Sequence, residues 1–366
     1  MKSISTISRF FKNLQFFCLA FGVFTTQSLQ QLHTFIPISR INTLSTILEE
    51  MSYTAQLDAF VSRLNESTDY TAKHAILSEL LDTIEQFSGA TEYEYFLKNL
   101  VPIFLKELEE VPISYISTSP EQKLRNSTLE IIHRLIMNET FQPFAEQILD
   151  ALTKILVEEN EDNGVLCMKI ITSLQKAYKA TLAEKVQPFL EVIQKIYDNM
   201  DQTVQQTFSE ETSANENKED ANDDQDMSPT NSFNEDAPTK TLSKAMYSFK
   251  TLAECPITMV SLYSSNKQLV APSLPHFLPK IMHILQLQVK QQEQYRQESK
   301  DQIVTSISPE IKNRQAYSEF ILGQVKAASF LAYVFIRGYA NQYLKPEESA
   351  CIPDVILRLL QDCPAE

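Results

Sequence analysis

The chain has 366 residues, 43% of them hydrophobic, and carries 32 Lys and Arg against 47 Asp and Glu, a formal net charge of −15. It holds five glycines, far below the roughly 7% of ordinary usage, and folds that need positive-φ turns or backbone approach to phosphate draw on glycine freely. Rossmann fingerprints, P-loops, hairpin-rich sandwiches and nucleophile elbows are therefore disfavoured, and the acidic balance disfavours non-specific binding to nucleic acid or anionic lipid.

Residues 1–50 differ from the rest. Lys2, Arg9 and Lys12 precede an apolar stretch from Leu14 to Phe24, which resembles a targeting segment and is too short to span a bilayer as a helix. Met51 then opens a second start. The extension reads either as targeting-like sequence or as a gene-model artefact ahead of Met51.

From Met51 to Phe208 the pattern is helix after helix. Leu57, Phe60, Val61 and Leu64 recur at helical spacing, and Ile76, Leu77, Leu80, Leu81, Ile84 and Phe87 mark a second helix. A third is expected from Thr91 to Leu108, kinked or broken at Pro102. The string Glu110–Tyr115 reads as a connector. Ser119, Pro120 and Gln122 then form a compact helix start, with Ser as N-cap, Pro at the first helical position and Gln closing a capping box. That helix carries Leu124, Ile131, Ile132, Leu135 and Ile136, and further helices are expected near Gln142–Val157, Val165–Tyr178 and Leu182–Met200. Helix pairs start near Ser52, Thr91, Gln142 and Leu182, at spacings of 39, 51 and 40 residues. HEAT and armadillo units repeat at roughly 40–47 residues. The fold class expected is all-α, a HEAT- or armadillo-like solenoid of helical hairpins, each covering its neighbour's apolar face.

Residues 209–240 break the pattern. They hold ten acidic residues and two lysines, a net charge of −8, with Met227 and Phe233 almost the only bulky apolar groups. Such a segment cannot repay its ordering entropy and reads as a disordered acidic linker. Helices resume over 241–366, first near Thr241–Glu254, with Cys255-Pro256 expected to force a boundary. Pro272, Pro275 and Pro279 precede a long helix expected to reach Lys300, its polar second half in solvent. Ser308-Pro309-Glu310-Ile311 begins another. The apolar run Ala316–Arg337 is interrupted by Glu319, Gln324 and Lys326, so it reads as a buried solenoid helix rather than a membrane span. The end of the chain, with Val355, Ile356, Leu357, Leu359 and Leu360, lacks the polar outer face of a terminal repeat and reads as truncated.

No catalytic constellation emerges. Glu107, Glu109 and Glu110 read as a solvated helix face, Gly164 is too isolated for a phosphate loop, and Ser264 and Ser265 have no nearby base. His33, His74, His133, His276 and His283 are scattered, with His133 read as a satisfied interfacial residue. Cys18, Cys167, Cys255, Cys351 and Cys363 show no metal-ligand or redox spacing, which suggests buried thiols in a reducing compartment. No catalytic, metal-binding or cofactor-binding residue is assigned, and no cofactor is expected.

Seven strings carry a resemblance. They are EVPISY (Glu110–Tyr115), SPEQKLRNS (Ser119–Ser127), MNETFQPFA (Met137–Ala145), NGVLCMK (Asn163–Lys169), CPITMVSLYSS (Cys255–Ser265), KAASFLAYVFIRGYA (Lys326–Ala340) and PDVILRLLQDCPAE (Pro353–Glu366). In this order they resemble the N-terminal HEAT-repeat region of the transcription-associated TRRAP family, and its fungal members above all. These are very large pseudokinases related to the phosphatidylinositol-kinase-like kinases. The resemblance implies a nuclear, non-enzymatic scaffold linking transcription activators to subunits of histone acetyltransferase complexes, SAGA and the nucleosomal H4 acetyltransferase. From the acidic charge and the interrupted apolar run, no direct contact with nucleic acid or membrane is expected. The family's kinase-like domain has no counterpart here, so the remainder of a much larger chain is expected to be missing. Acidic charge on a helical solenoid leaves one alternative, a karyopherin-type transport adaptor that takes basic cargo.

Overall fold

The computed structural model describes residues 55–87, 93–208, 240–289, 313–336 and 344–362. The extension at 1–50, the acidic linker up to residue 239, the expected helix beyond residue 289 and the start at Ser308–Ile311 all lie outside the described residues. Among the described residues the structure is helical, with two isolated antiparallel β-bridges and no strand.

Two compact units are present. One takes in the described residues up to Glu66 together with Thr83–Leu100, the other Ser67–Asp82 and everything from Val101. In the first, helix α1 spans 55–66, and Leu57, Phe60 and Leu64 are buried at the spacing the sequence predicts. Helices α2 (Tyr70–Phe87) and α3 (Tyr93–Glu110) each contribute to both units. Tyr93 stacks on Phe96 at 5.7 Å, and the Tyr95 hydroxyl donates to Asp58 at 2.9 Å.

The second unit stacks helices in two layers. The first layer holds α4 (Pro120–Leu135), α6 (Glu161–Ala177), α9 (Phe249–Ser265) and α12 (Arg314–Ile336). The second holds α5 (Ala145–Leu156), α7 (Val186–Asp198), α11 (Leu274–Gln286) and α14 (Ile352–Asp362). Short helices α8 (Met200–Phe208), α10 (Lys267–Val270) and α13 (Pro346–Ala350) join them. In both layers, 41 residues separate the first two starts, 120 to 161 and 145 to 186. That offset fits the HEAT spacing read from the sequence.

First-layer helices run parallel. Gly164 faces Thr251 and Thr172 meets Thr258 across α6 and α9. Gly323 faces Leu252 and Ser264 meets Tyr333 across α9 and α12. Apolar stripes at helical spacing explain the packing: α7 buries Val186, Phe189, Leu190, Ile193 and Ile196. Each such side chain contributes roughly 1.5–3 kcal/mol on burial, so the stack rests on its apolar faces.

Three sequence expectations are corrected. Pro102 and Pro256 stand inside α3 and α9, and neither ends its helix. An interior proline costs about 3 kcal/mol; in α9 the packing of Leu252, Cys255, Met259 and Leu262 offsets it, all four being buried. Helices do not resume at Thr241. Residues 240–244 are non-helical, Ala245–Tyr247 form one 3-10 turn, and α9 opens at Phe249 under an N-cap from Ser248. Finally, α11 stops at Gln286, where Leu287 turns extended, instead of running to Lys300. Its last carbonyls are taken by side chains from later helices. Gln324 Nε2 donates to the carbonyls of Ile284 and Leu287 at 2.8 and 2.9 Å, and Arg358 donates to those of Leu285 and Gln286. Helix ends need such partners.

Candidate functional site

The most elaborate polar arrangement lies where α3 ends and α4 and α6 begin. Arg125 on α4 and Glu159, just ahead of α6, are 1% and 0% exposed and form an ion pair. Arg125 Nε donates to Glu159 Oε2 at 3.0 Å, and Nη1 donates to the carbonyls of Leu108 and Val111 at 2.7 and 2.8 Å. One guanidinium therefore caps the end of α3 and neutralises a buried carboxylate.

Amides complete the network. Glu159 Oε1 accepts from the side chains of Asn160 and Asn163 at 3.0 and 3.3 Å. Gln122 Oε1 accepts from the same two amides, at 2.9 Å from Asn163. Asn160 also caps α6, its Oδ1 accepting the Asn163 amide proton at 3.1 Å, and its Nδ2 donates to the Ser114 carbonyl at 3.1 Å. Buried polar groups this well matched rigidify a single arrangement. Gln122 is thus committed inward. The Ser119 half of the expected capping box forms, with Oγ accepting from the Gln122 amide at 3.2 Å. The reciprocal half does not, because the Ser119 amide donates to the Ile116 carbonyl.

Residues 240–248 lie across this network as a strap. The Leu242 amide donates to the Tyr115 carbonyl at 2.6 Å and the Ala245 amide to that of Glu159 at 2.8 Å. Ser117 and Glu161 donate back to the carbonyls of Lys240 and Ser243 at 3.0 and 2.8 Å. The strap's first half therefore pairs with the connector before α4 and its second half with the connector before α6. Lys244 pairs with Glu158 at 2.6 Å, and Lys250 with Glu161 and Asp162 at 2.9 and 2.6 Å. Burial pulls the Lys250 ammonium down, and its hydrogen bonds to Asp162 and Glu161 more than offset this, leaving it well above the ordinary lysine value.

Gly164 makes the strap's approach possible. A Cβ on it would lie 2.5 Å from Ala245 Cβ. The sequence set this glycine aside as too weak for a phosphate loop. Its structural role is close approach of chain to helix.

Other residues weighed in the sequence are structural. Glu107 corrects an expectation: it is 6% exposed and paired with Lys73 at 2.5 Å, while Glu109 and Glu110 are exposed as expected. His133 is half-buried. Ser264 bonds the Val260 carbonyl and the Tyr333 hydroxyl. Cys167 and Cys255 are buried free thiols, and burial raises both above the ordinary thiol value. Among the described residues no group of His, Cys, Asp or Glu could hold a metal ion, and no helix is long and apolar enough to cross a membrane. Sequence reasoning missed Arg125, Glu159 and Asn160 altogether.

A family model described as the Tra1 HEAT repeat central region matches residues 316–366, which take in α13, α14 and all but the first two residues of α12. In an alignment of 340 positions that covers 86% of it, the chain is 45% identical to the SAGA complex/NuA4 acetyltransferase complex subunit TRA1 of Saccharomyces cerevisiae. The chain belongs to the Tra1/TRRAP family. Within it, the transformation/transcription domain-associated protein of Homo sapiens is 29% identical over 88% of this chain. Tra1 of Schizosaccharomyces pombe is 29% identical over 75%. The chain spans 9% of the length of the first of these relatives and 8% of the other two. Membership and the two-layer stack agree on the fold, an all-α HEAT-type solenoid.

Proposed function

We propose that this chain is a non-catalytic scaffold segment of a transcription coactivator subunit, acting in the nucleus and linking transcription activators to subunits of histone acetyltransferase complexes of the SAGA and NuA4 kinds. The observation that carries this reading is the 45% identity, over most of the chain, to a relative named as a subunit of both complexes. The chemistry of the described residues supports it. The buried carboxylates Glu107, Glu159 and Glu161 are paired with Lys73, Arg125 and Lys250, and the buried thiols are held in their neutral form. Helical surfaces remain for docking. On α14, Ile356, Leu357 and Leu360 stand exposed while Val355 and Leu359 pack inward. The pseudokinase character of the family adds no catalysis to this segment.

The test is affinity purification of the tagged full chain from nuclear extract, followed by mass spectrometry, with pulldown of acidic activation segments in parallel. Enrichment of SAGA or NuA4 subunits is expected. A chain with native circular dichroism that enriches neither subunits nor activators would remove the scaffold reading.

A further inference from the structure

We propose that the slot filled by residues 240–246 is a peptide-binding site, and that the strap is its exchangeable internal occupant. The ligand class is a lysine-bearing peptide, extended up to the lysine and turning at the small residue directly after it, with an apolar residue two positions before the lysine.

Three features define the slot. It offers backbone on both sides, the Tyr115 carbonyl and Ser117 amide from one connector and the Glu159 carbonyl and Glu161 amide from the other. Main-chain pairing of this kind binds extended peptides with little dependence on sequence, and pockets for side chains supply the selectivity. Two positions are selective: Leu242 is 3% exposed, and Ala245, 0% exposed, lies so close to Gly164 that a Cβ on the glycine would come within 2.5 Å of its own. The third feature is charge. Glu158, Glu159 and Glu161 flank the slot; Arg125 and Lys250 neutralise the two buried ones, and the remaining exposed carboxylate of Glu158 favours an occupant that carries a cation, which the strap supplies as Lys244.

The strap is built to leave without dismantling the helices. Thr241, Ser243 and Tyr247 are exposed, so three buried side chains hold it, Leu242, Ala245 and Met246, with one bond from Asn199 Nδ2 to the Met246 carbonyl at 3.3 Å. The network beneath it is complete without it, since Arg125, Glu159, Asn160, Asn163 and Gln122 bond one another and the end of α3. Ser248 caps α9 through the Lys250 amide and is anchored to Glu161 at 2.8 Å; when residues 240–246 lift, Thr251 Oγ1 gives up the Ala245 carbonyl but keeps that of Ser248 at 2.9 Å, so α9 retains its start.

The experiment uses the full chain carrying Leu242→Asp and Lys244→Glu, with a labelled peptide of residues 240–247 as probe and fluorescence anisotropy as readout. The peptide is expected to bind the altered chain at least about tenfold more tightly than the unaltered one, a difference near 1.4 kcal/mol. Binding should weaken as salt rises, disappear when the peptide itself carries Leu242→Asp, and restore hydrogen-exchange protection to the Ser117 and Glu161 amides. A folded altered chain that does not bind the peptide overturns the proposal. Should the altered chain fail to fold, native-state hydrogen exchange on the unaltered chain decides. Leu242 and Ala245 amides exchanging by a local opening faster than those of α6 support exchangeability, and exchange only with global unfolding overturns it.

Discussion

Gly164 and Ala245 approach so closely that a single added methyl on the glycine would sit 2.5 Å from the alanine Cβ. The contact joins the first turn of α6 to a segment more than eighty residues later in the chain, and it cannot relax by rotating a side chain. Gly164→Ala is therefore expected to destabilise the chain by about 1–3 kcal/mol, the usual cost of overpacking. Urea denaturation followed by circular dichroism measures this. Adding Ala245→Gly should recover much of the loss, because the clash disappears with its second partner.

Arg125 and Glu159 supply a second prediction. Arg125→Met strips the counter-charge from a carboxylate that has no access to water, and losses of roughly 3–5 kcal/mol accompany such removals. Changing both residues to apolar ones of similar volume should cost much less, although the α3 carbonyls of Leu108 and Val111 lose their donor. A double-mutant cycle by chemical denaturation separates the two effects.

His74 gives a pH dependence. Burial, and secondarily the charge of Lys123, hold its pKa below the ordinary value of 6.5, and its Nδ1 lies 2.9 Å from Ser127 Oγ. The unfolded chain therefore binds more protons than the folded one between the depressed value and 6.5. His74 thus favours folding above 6.5, and this contribution is lost as pH falls below it. Replacing His74 with Gln should flatten that part of the stability profile; an unchanged slope between pH 5 and 7 would assign it to other groups.

Thiol reactivity should divide by position. Cys167 and Cys255 are buried with raised pKa values and should resist alkylation in the folded chain, whereas Cys351 is partly accessible. Peptide mapping after brief iodoacetamide treatment is expected to show Cys351 modified and the other two protected until denaturant is added.

Much of this architecture could be read in the residues. Helical stripes such as Ile148, Leu149, Leu152 and Leu156 follow directly from apolar spacing, and each is buried. Helix ends were harder to read, because distant side chains decide them. Nothing near Gln286 signals a stop; the partners that take its carbonyls lie at Gln324 and Arg358. Prolines misled for a related reason, since local propensity marks a break at Pro256 while packing around it carries the helix through. The polar network was hidden because its members stand far apart and look like surface residues singly. Gln122, Arg125 and Asn163 nonetheless fall within the strings SPEQKLRNS and NGVLCMK that carried the family resemblance. In space those two strings hold one another, Asn163 donating to Gln122 at 2.9 Å and accepting from Asn126 at 3.0 Å.

Parallel alignment of the first-layer helices has a further consequence. The segments 209–239 and 290–312 rejoin the described stack at the strap beside α6 and at Asn313 ahead of α12, both at the N-terminal ends of parallel helices. The opposite ends are closed by the brief turns 136–144, 178–185 and 266–273. A flexible loop costs only about 0.6 kcal/mol more for each doubling of its length, whereas short links deviate strongly from that rule. Among the described residues, these three turns therefore fix the spacing of the helices that they join.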